Sequence, residues 1–224
     1  MKALIFDSGT LINLSMNGML DILEKLKKTF EGKFIITQAV KYEIIDRPIN
    51  VSRFELGALR IQELLNRSII ELPDTLNITD KQIKQATQEF MEKANHAIQV
   101  RDQWVTLVSE AEMSCLALSS ILNTQGVENI IAIDERTTRV LCEKPLTLEQ
   151  LMSERLHQRA RLMSPDLHLF EEYRFIRSSE LVYVAYKKGI LGLEGKKALE
   201  AALYATKYKG AAISFEEIEA LKKL

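Results

Sequence analysis

Lys2-Ala3-Leu4-Ile5-Phe6-Asp7-Ser8-Gly9-Thr10 is the stretch whose reading decides the fold. Five residues, four of them apolar, run into an acid and three turn-forming or capping residues. That is the pattern of a short buried strand that stops at a loop. The pattern returns twice further on. Phe34-Ile35-Ile36 is a second apolar run, followed by Thr37, and residues 129–133 form a third, followed by Asp134. In an open parallel sheet, sites form beyond the carboxyl ends of the strands. Asp7 and Asp134 are both predicted at such an end.

Helical periodicity fills the space between the runs. Asn17 is read as the cap of a helix carrying Met19, Leu23, Leu26 and Phe30, ended by Glu31-Gly32. Thr37 caps a short helix with Val40, Glu43 and Ile44 that stops before Pro48. Residues 52–67 form an amphipathic helix, and Ile69-Ile70-Glu71-Leu72 is read as a strand. Residues 79–101 are read as a long polar helix, and Ser109 opens a strong helix through Leu122. A helix with Val140 and Leu141 follows Asp134. Strands alternating with helices, with no hairpin signal, predict an α/β fold with a parallel sheet flanked by helices. Past Pro145 no further strand is predicted. Helices are expected over 147–163, 177–189, 195–208 and 214–223, the last opened by a Ser214–Glu217 capping box. The expected division is residues 1–145, with a helical insertion at 79–108, and a helical C-terminal region at 146–224.

Composition bounds the function classes. The chain has 224 residues, 46% of them hydrophobic and 27% charged, with a net charge of −1. That is ordinary globular composition. No apolar stretch is long enough to span a bilayer, and the run before Asp7 is too short for a secretory h-region; a cytoplasmic protein with no membrane partner is expected. Cys115 and Cys142 lack neighbours at metal-ligand spacing, and His96, His157 and His168 are scattered, which argues against zinc. Cys115 is expected to be a buried free thiol. The near-neutral total offers no large field for nucleic acid. A cluster of metal-binding acids adds formal negative charge that bound cations offset.

Carboxylates are the residues that carry chemistry. Mg²⁺ and Mn²⁺ take hard oxygen ligands, so a site for them needs several acids converging in space. Four segments supply one: Asp7 after the first strand, Glu43 on the Thr37 helix, Glu110 and Glu112 at the start of the Ser109 helix, and Asp134 with Glu135 after the third strand. Each also has a structural reading. Asp7-Ser8-Gly9-Thr10 is turn chemistry, Glu43 is a solvated helix residue, Glu110 and Glu112 favour a helix dipole, and Asp134 caps the next helix.

The chain resembles the PIN-domain nucleases at four places in order. Ile5-Phe6-Asp7-Ser8-Gly9-Thr10-Leu11-Ile12 is similar to the family's opening motif. Thr37-Gln38-Ala39-Val40-Lys41-Tyr42-Glu43-Ile44 is similar to its second, with the acid at Glu43. Ser109-Glu110-Ala111-Glu112 resembles the Gly-Glu-Ala-Glu helix of one subgroup, with Ser109 in place of glycine. Ile133-Asp134-Glu135-Arg136 resembles the last motif, with Glu135 where the family prefers Asp. The likeness covers about two-thirds of the chain.

The resemblance implies a PIN-like fold and a Mg²⁺- or Mn²⁺-dependent endoribonuclease, toxin-type or RNA-processing. Asp7, Glu43, Glu112 and Asp134 are the implied catalytic metal ligands, with Glu110 and Glu135 as alternates. Ser8, Thr10 and Arg136 are the implied positioning residues. RNA is the implied substrate, and an antitoxin or a second copy of the chain is a compatible partner. The alternative is a PIN-fold module without activity that binds RNA or protein. A structural α/β subunit whose C-terminal helices build an oligomer is a third reading.

Rival motifs fail. Phe6-Asp7-Ser8-Gly9-Thr10-Leu11 resembles the opening of the haloacid-dehalogenase phosphatases, but Phe6 then stands where their nucleophile must be. Arg155, His157, Arg159 and Arg161 form a basic cluster, read on one helix as either a solvated surface or a phosphate-contacting face.

Overall fold

The computed structural model describes residues 2–163 and 167–224. A four-stranded parallel sheet organises it. Strand β1 (Lys2–Phe6) is followed by helices α1 (Ser8–Met16) and α2 (Asp21–Lys27), then by β2 (Gly32–Ile35), α3 (Gln38–Lys41) and α4 (Glu55–Asn66). Next come α5 (Asp80–Asn95), the short strands β3 (Ile98–Val100) and β4 (Gln103–Trp104), α6 (Glu110–Thr124) and β5 (Glu128–Ala132). The chain continues through α7 (Arg136–Glu143), α8 (Leu148–Leu156), β6 (Ala160–Leu162) and β7 (Phe175–Ile176). It closes with α9 (Ser178–Lys187), α10 (Lys196–Tyr208) and α11 (Phe215–Leu221).

The sheet order is β2-β1-β5-β7, with every neighbouring pair parallel. From β1 the chain first lays down β2 on one side, then returns to place β5 on the other. The strand order therefore reverses between β1 and β5, where such sheets carry their sites. The two strands run in register from Lys2↔Glu128 to Phe6↔Ala132. Asp7 consequently leaves the sheet level with Ile133, and Asp134 follows one residue beyond. Both central strands are covered by helices, so they read as unbroken apolar runs: Ile5, Phe6, Ile131 and Ala132 are fully buried. Gly32 is required by packing, because a Cβ there would lie 2.4 Å from the carbonyl oxygen of Lys2.

Several expectations are corrected. Ser8-Gly9-Thr10 is not a loop but the first turn of α1, with Asp7 as its N-cap accepting from the Gly9 N–H; Asn17 ends that helix instead of opening the next. The run Ile69–Leu72 makes only an isolated parallel bridge, Ile35↔Glu71. The helix expected over 79–101 stops at Asn95, and a hairpin follows, contrary to the absence of hairpin signals. Its turn residues Arg101 and Asp102 both have positive φ (50° and 62°), a backbone usually marked by Gly or Asn. Strands also do not stop at Pro145. The helix expected over 147–163 ends at Leu156, β6 pairs with β3, and β7 joins the main sheet beside β5.

One hydrophobic cluster runs across residue 145 without a break. It contains Ile5, Phe6 and Ile131 together with Leu148, Met152, Phe170, Val182 and Ala185. A smaller one, Leu199, Leu203, Ala211, Ile213 and Ile218, holds α10 and α11 together. Cys115 is a buried free thiol, as its apolar neighbours predict. Among the described residues, no helix is long and apolar enough to cross a membrane.

Candidate active site

Asp7 is placed by two backbone constraints. Its N–H donates to the carbonyl of Ala132 at 2.9 Å, which extends the sheet by one residue. Its Oδ2 then accepts the Gly9 N–H at 3.1 Å as α1 begins. Gly9 suits the spot, since a Cβ would come within 3.2 Å of that same oxygen. The carboxyl is 2% exposed.

Two further acids approach Asp7, and a third stands behind one of them. Ser8 Oγ lies 2.9 Å from Glu43 Oε2 and 3.3 Å from Asp7 Oδ1, so one hydroxyl ties the two carboxylates together. Glu43 stands on a wide π-type turn, Tyr42–Asp46, that continues α3. That extra residue in the turn sets where its side chain leaves the backbone. Glu112 occupies the third position of α6, where it closes a capping box with Ser109 and accepts from Thr138 Oγ1 at 2.6 Å. Behind it, Glu135 caps α7 through the Thr138 N–H at 2.7 Å.

Electrostatics distinguish this group. Burial, then the charges of Glu112 and Glu43, push the Asp7 carboxyl up to about 7, against the opposing hydrogen bond from Gly9. Burial also raises Glu112, with the Thr138 hydrogen bond opposing and Glu135 adding to the rise. No ion pair among the described residues reaches Asp7, Glu43 or Glu112; Glu135 alone has a cation, Arg155, at 3.7 Å. Neighbouring acids without a counter-charge are costly, and the cost falls if a proton or a cation joins them.

Asp134 behaves differently. Its Oδ1 accepts the Ser178 N–H at 2.7 Å, and its Oδ2 accepts Ser178 Oγ at 2.7 Å and Asn13 Nδ2 at 2.9 Å. Burial raises it, but Ser178, Asn13 and the nearby Arg177 charge all oppose the rise. Three hydrogen bonds to its carboxylate tie the start of α9 and the body of α1 to the end of the sheet. The same clamp reaches the C-terminal helices. Asn13 Nδ2 also donates to the Thr206 carbonyl at 2.9 Å, the Ala212 N–H donates to the Asp134 carbonyl at 3.0 Å, and buried Arg177 donates to the Ala212 carbonyl at 2.8 Å.

The remaining expected residues divide. Glu110 is exposed on the outer side of α6 and lines a groove with Thr37, Glu43, Arg47 and Lys84. Arg136 is exposed at the start of α7 and lines another cleft with Glu135, Arg155 and Ala212. Thr10 is fully buried, and its hydroxyl has no partner among the described residues. Thr138, Asn13 and Ser178 were missed. Thr138 lies 26 residues from Glu112 and Ser178 lies 44 residues from Asp134, so nothing local marks either contact.

Among the described residues, no three carboxylate, imidazole or thiolate groups stand close enough together to hold one ion as arranged here. The donor chemistry still fits a hard divalent cation. Asp7, Glu43 and Glu112 offer anionic oxygens with no bound countercharge, the set that Mg²⁺ and Mn²⁺ prefer. Compared with family models, with characterised proteins and with solved structures, the chain matches none.

Proposed function

We propose that the protein is a Mg²⁺- or Mn²⁺-dependent endoribonuclease of PIN-like architecture. One observation carries the reading: a buried Asp7 held at about 7 by burial and by Glu112 and Glu43 at the strand-order reversal of a parallel sheet. Repelling acids cost stability, and a chain that keeps them there gains when a cation binds.

Asp7, Glu43 and Glu112 would hold the ion, with Glu135 in reserve behind Glu112. Those residues would give the site a Lewis acid for water and for the charge of the scissile phosphate. The chain's own residues position the acids. Ser8 bridges Asp7 to Glu43, Thr138 orients Glu112, and Gly9 leaves one Asp7 oxygen held by the backbone. Arg155 donates to Thr137 Oγ1 at 3.0 Å beside Glu135, where its guanidinium is available to an incoming phosphate.

A mixed RNA incubated with Mn²⁺ should be cleaved, and chelation or Asp7→Asn should stop it. Cleavage that survives in a pure, folded Asn variant removes the assignment. One observation favours the second reading, a module that binds without cutting: Asp134 has its carboxylate committed to Ser178 and Asn13. Under that reading Mn²⁺ raises neither thermal stability nor cleavage.

A further inference from the structure

The small antiparallel sheet, ordered β4-β3-β6, has two faces of different character. Its register pairs Gln99 with both Trp104 and Arg161, and Val100 with Ala160. Side chains alternate along a strand, so Ile98 and Ala160 point inward, where both are fully buried. Trp104, Gln99 and Arg161 then form one cross-strand row on the outer face. Arg101, Asp102, His157 and Arg159 gather with Gln99 and Arg161 around a cleft of about 470 Å³, and Trp104 stands beside it as the cross-strand neighbour of Gln99.

Three properties coincide there. Arg101, Arg159 and Arg161 are exposed, and the arginine ion pairs among the described residues are made by Arg67, Arg139, Arg155, Arg174 and Arg177 instead. Among the described residues that line the cleft, Asp102 is the one acid, in a chain whose total is only −1. Trp104, the sole tryptophan of the chain, is 47% exposed, with its ring held edge-on to His96 at 5.1 Å between centroids. Both turn residues carry side chains at positive φ, which presents Arg101 at the rim.

We infer that this outer face binds single-stranded RNA, with Arg101, Arg159 and Arg161 on backbone phosphates and Trp104 stacked on a base. Exposed guanidiniums beside an exposed aromatic ring, on an open sheet, are what a single strand needs. An acidic peptide would use the arginines but leaves the ring without a role. The site rests on the nuclease reading only for the choice of RNA; its binding groups are separate from the acids. The two regions are joined by the end of α8, where Arg155 meets Glu135 and His157, two residues on, lines the basic cleft.

The test uses the full chain in chelator, so that nothing is cut, and titrates a uridine oligomer while following Trp104 fluorescence. Saturable quenching is expected. Arg159→Ala with Arg161→Ala should weaken binding on the order of 10-fold and make the slope of log K against log salt shallower by about 1.4, the loss of two single-strand phosphate contacts. Lysine at both positions should restore most of that slope. Trp104→Ala, followed by anisotropy of a labelled oligomer, should weaken binding on the order of 10-fold. Equal binding of a deoxyribose oligomer counts for the site and widens its ligand to single strands in general. Undiminished RNA binding by the folded double-alanine variant overturns the inference. So does polyglutamate that quenches and competes as well as RNA, which would make the face an acidic-protein surface. A protein that binds RNA here but never cuts it sinks the nuclease reading alone.

Discussion

Two aspartates end adjacent parallel strands of this molecule, and they have opposite fates. Asp7 and Asp134 leave β1 and β5 at the same edge, both buried and both next to a helix start. Asp134 is met by Ser178, Asn13 and the charge of Arg177, and becomes the fastening for α9. Asp7 is met by Glu43 and Glu112, and gains only a backbone N–H and one shared hydroxyl. The same residue type, one register step apart at the ends of paired strands, is hydrogen-bonded on both oxygens in one place and crowded by like charge in the other. The difference teaches that position in the sheet selects where a site can be, and that neighbouring charge selects what it does.

Breaking the Asp7 side should have the largest effect. Asp7→Asn should lower Mn²⁺-dependent cleavage by well over the ~100-fold that losing an outer-shell partner of a metal costs, while thermal unfolding at pH 8 stays level or moves up. Cleavage rates and a melting curve on one preparation test both halves.

The pH dependence of stability sharpens the contrast. Asp7 rises from 3.8 to about 7 on folding. The unfolded chain therefore gives up its proton first, and Asp7 disfavours the folded state increasingly from about pH 4 until the loss is complete above about pH 7. The full displacement corresponds to at most about 4 kcal/mol. Denaturant unfolding across that window should show the parent losing stability relative to Asp7→Asn, and added Mn²⁺ should recover it at pH 8. Parallel curves for the two proteins would remove the strained anion from the account.

Asp134→Ala should lower stability by about 3 kcal/mol, because it strands the Ser178 N–H and the Asn13 amide in the interior. In a chain of this size that is a melting shift of roughly 6–12 °C. A shift no larger than that of an ordinary surface substitution would show that the clamp is dispensable. The smallest effect should come from Thr138→Val, which removes the hydroxyl from Glu112. A loss of about 1 kcal/mol is expected, together with slower cleavage at unchanged RNA affinity. Fully retained cleavage would mean that Glu112 needs no such orientation.

Much of the fold was readable because it rests on local rules. The apolar runs at β1, β2 and β5, the Ser214 capping box, and the Ser109 and Thr37 caps all declare themselves within a few residues. The missed pieces are those without local grammar. β7 is two residues long and exists because β5 offers it an edge. The β3–β4 hairpin turns on Arg-Asp instead of a glycine pair, and the end of the Thr79 helix is set by pairing with β6. Asp7-Ser8-Gly9-Thr10 looked like a turn because N-caps and turns use the same residues. The spacing of the basic cluster suits one helix, whereas α8 ends before most of it, and β6 sets Arg161 on an open face with Arg159 just before the strand.

What the sequence determined by itself is the set of strand-terminating acids, since an apolar run closed by a carboxylate is encoded by consecutive residues. Tertiary structure alone decided their charge environment. Coulombic and hydrogen-bond energies depend on distances of a few ångströms between groups that lie 44 residues apart for Asp134 and Ser178, and 35 apart for Ser8 and Glu43. Neither separation leaves a period or a cap in the chain, so only folding could make one aspartate a fastener and leave its neighbour facing like charge.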